Sequence, residues 1–105
     1  MAHYVVEIAP LVLEQLEEIK SYIANDLGAP NSAERVIRSL LEAMGGLESF
    51  PFRNAVLVEL PDGREIRRAK AGNYFALYVV AQSTVSVIAI VHASSDITKR
   101  VAALF

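Results

Sequence analysis

The chain has 105 residues, of which 53% are hydrophobic, with a formal net charge of −2 and no cysteine. This length suits one hydrophobic core, so we expect a single domain over residues 1–105, and the apolar content excludes a disordered chain. Without cysteine there are no disulfides or thiolate metal sites, and neither a membrane-length apolar run nor a signal peptide is visible, so the sequence indicates a cytoplasmic protein without a membrane partner.

The N-terminal segment predicts a strand followed by a helix. Residues Tyr4–Ile8 alternate as a short strand does, and Pro10 suits the first position of a helix, where its missing N–H has no partner to lose. Apolar residues then recur at steps of three and four, forming the stripe Val12, Leu16, Ile19, Ile23 and Leu27. Gly28 is the residue type that ends a helix in the left-handed conformation.

A second helix is predicted directly after the first. Asn31 can cap it, Glu34 stands three residues on as in a capping box, and Pro30 bars extension backwards. The side expected to be buried carries Ala33, Val36, Ile37, Leu40, Leu41, Met44 and Leu47. Because Pro51 stops any continuation and few residues join the two helices, we expect an antiparallel helical hairpin.

The second half of the chain predicts strands separated by short turns. Val56–Leu60 suits a short edge strand, and further strands are predicted at Arg64–Lys70, Tyr74–Ala81 and Thr84–His92. Asp96 can cap a final helical turn or two that ends at Phe105. The predicted class is α+β, in the order β-α-α-β-β-β, with the hairpin packed on a small antiparallel sheet and a short C-terminal helical tail. The order of the strands in the sheet is left open.

The last two predicted strands are apolar on both faces. On the first, Phe75, Leu77 and Val79 oppose Tyr74, Tyr78 and Val80; on the second, Val85, Val87 and Val91 oppose Ile88 and Ile90. A helical hairpin covers only one side of a sheet, so the C-terminal segment or a partner must shield the other. We therefore expect the isolated chain to self-associate and the natural form to be a hetero-oligomer.

Charge is distributed unevenly along the chain. Residues 1–52 carry eight acids and three bases, whereas residues 53–105 carry seven bases and four acids. Four of those bases, Arg64, Arg67, Arg68 and Lys70, fall within seven positions. This cluster indicates either a solvated basic edge or a surface that faces an anionic partner, a nucleic acid or an acidic protein.

The residues that could carry chemistry are basic and aromatic, since no metal motif, phosphate loop or cofactor motif is visible. Arg67, Arg68, Tyr74 and His92 would be the catalytic set of a metal-free ribonuclease, in which a base, an acid and cations act on a phosphodiester. Each also has a structural interpretation. His92 can hydrogen-bond at the end of its strand, tyrosines can pack across strands, and Arg67 can pair with Glu65.

Several segments together resemble the ParE/RelE superfamily, the toxins of bacterial toxin–antitoxin pairs, and the ParE branch in particular. They are Tyr4–Pro10, Leu16–Ile23, Leu27–Pro30, Ala33–Arg35, Leu47–Pro51, Glu65–Arg68, Gly72–Tyr74 and Ile90–His92 leading to Asp96. The resemblance covers nearly the whole chain and depends on the order and spacing of these pieces. It implies a helical hairpin on a small antiparallel sheet, in agreement with the patterns above.

The resemblance also implies partners and a target. ParE-type toxins poison DNA gyrase through protein binding and RelE-type toxins cut messenger RNA on the ribosome, each neutralised by an antitoxin that alone contacts operator DNA. The family commonly has cations where this chain has Phe75, Ser94 and Ser95, which favours the gyrase inhibitor. The alternatives are the ribonuclease and an attenuated member that only binds antitoxin. The residues expected to contact partners are Arg67, Arg68, Lys70, Tyr74, Tyr78, Ile88 and Ile90.

Overall fold

Eight regular elements follow one another along residues 3–104, the part of the chain that the computed structural model describes. They are β1 (Val5–Ile8), α1 (Pro10–Ser21), α2 (Pro30–Gly45), β2 (Val56–Glu59), β3 (Glu65–Ala71), β4 (Tyr74–Ala81), β5 (Thr84–His92) and α3 (Ile97–Leu104). The α+β class, the helical hairpin and the C-terminal helix are confirmed. The predicted last residue of that helix, Phe105, lies outside the described residues.

The strands form one five-stranded sheet in the order β1-β5-β4-β3-β2. Neighbours β2 to β5 are antiparallel, whereas β1 lies parallel to β5 at the edge. The antiparallel pairing predicted for the strands that short turns join is confirmed, and the sheet as a whole is mixed because β1, whose direction was not predicted, runs parallel to β5. The helical hairpin separates β1 from the later strands, so no tight turn imposes an antiparallel neighbour on it.

Both long helices begin at a proline. Pro10 and Pro30 stand at the first helical positions, and Ala9 and Ala29 precede them without a side-chain cap. The predicted cap at Asn31 is wrong, because Pro30 occupies the position where a missing N–H costs nothing and so places Asn31 inside the helix. The cap at Asp96 is confirmed, since its Oδ1 accepts a hydrogen bond of 3.2 Å from the Lys99 N–H at the start of α3.

A π-helical turn over Tyr22–Asp26 follows α1. Its wider turn breaks the 3.6-residue phase, so the apolar stripe ends at the buried Ile23 and Leu27 is 58% exposed. The predicted burial of Leu27 is therefore wrong, as is that of Leu41, which is also largely exposed on the outside of α2. Gly28 has a φ of 65°, the predicted left-handed helix end.

A β-bulge in β5 changes which side chains share a face. Leu77 pairs with Ala89 but Tyr78 pairs with Val87, which leaves Ile88 as the extra residue. Val85, Val87 and Ile90 consequently lie on the face that packs against the helices, and Ile88, Ala89 and Val91 lie on the opposite face. The predicted grouping of Val91 with Val85 and Val87 is wrong because one inserted residue reverses the alternation.

Each face of the sheet has its own hydrophobic core. On the helix-side face, Val12, Leu40 and Met44 cover the sheet; on the opposite face, called the far face below, Val101 of α3 and Leu60 pack against Leu77, Val79 and Val91. Val101 is only 3% exposed. Of the two covers expected for this face, the C-terminal segment or a partner, the structure shows the C-terminal segment, because α3 packs there. Among residues 3–104, no helix is long and apolar enough to cross a bilayer.

Candidate partner-binding surface

The predicted basic residues of β3 alternate between the two faces of the sheet. Ala69 and Ala71 belong to the helix-side core, and Arg67 points to the same side. Arg68 and Lys70 lie between them in the sequence and point to the far face, where they pair across the ladder with Leu77 and Phe75. The guanidinium of Arg68 lies over the ring of Phe75, 4.7 Å from its centroid.

Arg67 and Tyr78 are neighbours across β3 and β4, and both bind the loop that leads into β2. Arg67 donates a hydrogen bond to the Asn54 carbonyl and lies 5.1 Å from the centre of the Phe52 ring. The Tyr78 hydroxyl donates to the Pro51 carbonyl at 2.6 Å and accepts from the Asn54 amide at 3.1 Å. Arg67 also pairs with Glu65 at 3.9 Å, as the structural interpretation predicted. These residues hold the loop in place.

Burial removes two of the predicted contact residues from the surface. Tyr78 is 0% exposed and Ile90 is 4% exposed, and both belong to the helix-side core. Burial raises the pKa of the Tyr78 phenol above its ordinary value, although the Asn54 hydrogen bond and the charge of Arg67 act in the opposite direction. In this structure, neither side chain offers a partner any surface. Ile88 lies half-buried on the far face, against the same cluster that α3 covers.

Tyr74 and His92 lie together at one end of the helix-side face. They pair across β4 and β5, and their rings meet edge to face at 5.1 Å. Arg67 pairs with Tyr78, which is four residues after Tyr74 on β4. At about 3.3 Å per residue, Arg67 therefore lies roughly 13 Å along the sheet from Tyr74. Arg68 points to the other face. The four residues of the ribonuclease interpretation are therefore not brought together at one phosphodiester.

Part of the β3 edge that faces β2 has no neighbouring strand among the described residues. The β2 ladder pairs only with residues 65–67 of β3, so the backbone of residues 68–71 is open on that side. A groove of about 300 Å³ lies between this edge and the end of α2. Its lining includes Phe50, Arg53 and Lys70, with Glu42 as its carboxylate. We call residues 68–71, with the side chains of Phe50, Arg53 and Phe75 around them, the basic edge.

Sequence reasoning missed Phe50 and Arg53. Both lie in the loop before β2, and Phe50 is 56% exposed beside the groove. A signal for them exists in the run Phe50-Pro51-Phe52-Arg53, because two aromatic residues around a proline in a loop have no helix or strand face to bury them. Among residues 3–104, no three or more histidine, aspartate or glutamate side chains are arranged to hold a metal ion.

Comparisons with known proteins identify one family model and similar folds among solved structures. The family model described as the ParE toxin of the type II toxin–antitoxin system, parDE, matches residues 6–97. No curated protein is a significant match. Among solved structures, the chromosomal ParDE TA system from P. aeruginosa is similar with a TM-score of 0.72 and 15% identity, over 88% of this chain and 98% of that one. The archaeal RelE-RelB complex from Pyrococcus horikoshii OT3 is similar with a TM-score of 0.61 and 19% identity, over 88% and 97%.

Proposed function

Because the chain belongs to the ParE toxin family of type II toxin–antitoxin systems, we propose that it acts in the cytoplasm by binding and inhibiting a protein target. DNA gyrase is the target that the ParE resemblance indicates. A cognate antitoxin neutralises the toxin and alone carries the pair to operator DNA. The basic edge is the observation that carries the proposal, since it combines an open strand with cations and an exposed aromatic side chain in one place.

The antitoxin binds by adding a strand to the basic edge. Residues 68–71 present unpaired backbone N–H and C=O groups, and an extended peptide completes such a ladder with its own backbone. The groove beside the edge takes an apolar side chain of that peptide against Phe50. The likeness to the RelE-RelB complex, in which the toxin relative is bound to a second protein, supports a protein partner.

The charge of the basic edge selects an acidic segment. Arg53, Arg68 and Lys70 surround the open strand, and all three side chains are exposed. Carboxylates placed opposite these cations would speed association and fix the register of the added strand. The segment that neutralises the toxin is therefore extended and acidic, with an apolar residue at the position that enters the groove.

Inhibition by binding fits the geometry better than RNA cleavage. Phosphoryl chemistry without a metal needs cations, a base and an acid within reach of one phosphate. Here Arg68 lies on the face opposite to Tyr74 and His92, and Arg67 is bonded to the loop before β2. Phe75 occupies the far face beside Arg68, where a further cation would have strengthened a phosphate site.

The antitoxin contact is tested by reversing charges at the basic edge. The double variant R68E/K70E should weaken binding of the cognate antitoxin by at least about 100-fold, which is about 2.7 kcal/mol. The matched control is K20E/R38E, which reverses two cations on the outer groove of the helical hairpin. Titration calorimetry measures both. Equal affinities for the two double variants would exclude the basic edge as the antitoxin site.

The target is tested with two assays on the purified protein. Loss of gyrase supercoiling with intact messenger RNA supports the proposal. Codon-linked cleavage of message in translating ribosomes would instead establish the ribonuclease. If both activities are absent and expression is harmless to cells while antitoxin still binds, the chain is an attenuated toxin that only captures its antitoxin, as the substitutions at Phe75, Ser94 and Ser95 would allow.

A further inference from the structure

A second concave site lies at the other half of α2, between the tip of the helical hairpin and the end of the sheet. Its volume is about 830 Å³, within the range of small-molecule sites. We call it the tyrosine cleft, and its lining includes Tyr22, Arg35, Val36, Tyr74, His92 and Ser94. Among the described residues it shares no lining residue with the groove at the basic edge, although Ala71, at the end of that edge, also lines the cleft.

Two irregular pieces of backbone shape this cleft. The π-helical turn at Tyr22–Asp26 places Tyr22 at the rim, where it is 51% exposed, and brings the exposed Leu27 to the same cleft. On the sheet side, Gly72 has a φ of 60°, which permits the tight turn that presents Asn73 and Tyr74. π-Helical turns occur frequently at functional sites because they cost helix stability and redirect side chains.

Among the described residues that line the cleft none is a carboxylate, although the chain has more acids than bases. Arg35 supplies a permanent positive charge, and within residues 3–104 one of its N–H groups has a side-chain acceptor, the Ser32 hydroxyl at 3.0 Å. Tyr22, Tyr74 and His92 add further polar groups that can donate hydrogen bonds. A cleft with this lining favours an anion and disfavours a cation.

The polar groups of the sheet side are held in place before any ligand arrives. The Nδ1 atom of His92 accepts from the Ser94 N–H at 3.1 Å and lies 2.6 Å from the Ser94 hydroxyl. In the neutral ring, the proton is therefore on Nε2, which is a donor. Tyr74 meets the His92 ring edge to face. Burial, and to a smaller extent Tyr22, raises the pKa of the Tyr74 phenol, so its hydroxyl keeps its proton at neutral pH.

The rest of the cleft is apolar. Ile23, Val36 and Ala71 are buried or half-buried side chains that form part of its wall. Tyr22 and Leu27 at the rim are two of the large apolar residues that the chain leaves exposed. Aromatic and aliphatic walls of this kind enclose a flat apolar body, and the few polar groups orient it.

We propose that the tyrosine cleft binds a small organic anion in which a carboxylate or a phosphate is joined to a flat apolar body. The anionic group binds Arg35, and the body lies between Tyr22, Tyr74 and Val36. Arg–carboxylate and Arg–phosphate pairs are both bidentate, so the cleft recognises the shared chemistry and not one acid in particular.

The test uses the full chain and two matched pairs of probes. Adenosine 5′-monophosphate is compared with adenosine, and indole-3-carboxylate with indole-3-carboxamide. Backbone amide shifts in ¹⁵N NMR spectra are followed at the cleft residues Gly72, Tyr74 and Ser94. At least one anion should bind with a Kd of about 1 mM or below, and its neutral counterpart should bind at least about 10-fold more weakly. The pair whose anionic member binds shows whether the cleft prefers a phosphate or a carboxylate.

Two variants test whether the charge of Arg35 causes the preference for the anionic probe. R35Q should weaken the responding anion about 10-fold or more and leave its neutral counterpart unchanged, because only the anion uses the charge. The control R38Q removes a cation from the neighbouring turn of α2, at the outer groove of the hairpin, and should change neither. The proposal is overturned if no probe shifts the cleft amides, if neutral and anionic members bind alike, or if R35Q and R38Q behave alike. None of these readouts involves an antitoxin or gyrase.

Discussion

Arg67 and Tyr78 show how single residues with a functional appearance can serve the shape of a loop. Both side chains direct their polar groups to Pro51 and Asn54, and Arg67 also lies against Phe52. Strand alternation predicts which face these side chains occupy, but it does not predict which loop they meet there. Their indirect role is to hold the segment that presents Phe50 to the groove beside the basic edge.

Removing one hydroxyl tests this role. Y78F leaves the buried ring in place and deprives the Pro51 carbonyl of its donor, so we expect the free energy of unfolding to fall by about 1–2 kcal/mol. The control is Y22F, which alters an exposed tyrosine and should stay within about 0.5 kcal/mol of the parent protein. Urea denaturation measures both. A Y78F protein as stable as Y22F would show that the loop does not depend on this hydrogen bond.

The phenols of Tyr74 and Tyr78 predict how the free energy of unfolding depends on pH. The pKa values of Tyr74 and Tyr78 are raised above 10.0 in the folded protein. When a phenol has a higher pKa in the folded protein than in the unfolded chain, its contribution to stability is fully present at pH values below the pKa of the unfolded chain. That contribution is lost as the pH rises through the pKa of the folded protein. The unfolding free energy should therefore fall above about pH 10, and fall less in Y74F/Y78F. Urea denaturation at a series of alkaline pH values provides the comparison, and equal slopes would contradict the assignment.

At the scale of elements, the predictions of helix caps were right at one helix and wrong at another. Asp96 caps α3 as expected, whereas Asn31 makes no cap because Pro30 takes the first helical position before it. Both residues have the chemistry of a cap. Only Asp96 has the backbone position for it.

This difference can be measured. D96A should destabilise the protein by about 1 kcal/mol, the usual effect of deleting a cap, whereas N31A should change its stability by less than about 0.5 kcal/mol. Thermal unfolding of the two variants side by side is sufficient. A larger loss in N31A than in D96A would contradict the assignment of the two helix starts.

The C-terminal helix α3 covers part of the far face and is one of the two covers that were expected there. Val101 packs there against the cluster that contains Leu77, Val79 and Val91. V101A removes two buried carbon atoms and should lower the free energy of unfolding by about 2 kcal/mol. T98A, at an exposed position of the same helix, is the control. If V101A were neutral in urea denaturation, α3 would not be closing the far face.

Regular elements were predictable because periodicity and turn residues agree along most of the chain. The helical hairpin, the three long strands and the C-terminal helix follow from the sequence, and Gly28 has the left-handed backbone expected at the end of the first helix. The π-helical turn after α1 and the bulge at Ile88 were not predictable, because each adds a residue without changing the local residue types. These two irregularities account for the errors at Leu27 and Val91.

For the whole molecule, the expected excess of apolar surface exists but lies elsewhere. The sheet carries a hydrophobic core on each face, whereas Phe50, Phe52, Leu13 and Leu41 are among the large side chains left exposed. The basic residues Arg68 and Lys70 were identified from sequence. The open edge they line was not, because it depends on how far β2 pairs along β3. Family resemblance indicated the class of partner, and the open edge of β3 is the surface that we propose for it.

The most direct test of strand addition at the basic edge is amide hydrogen exchange in the free toxin and in its complex with the antitoxin. In the free protein, the outward-facing amides of residues 68–71 should exchange much faster than those of β4, which has a strand on either side. In the complex, the same β3 amides should become protected by about 10-fold or more. A fully formed complex in which the exchange of residues 68–71 is unchanged would contradict strand addition and place the antitoxin on another surface.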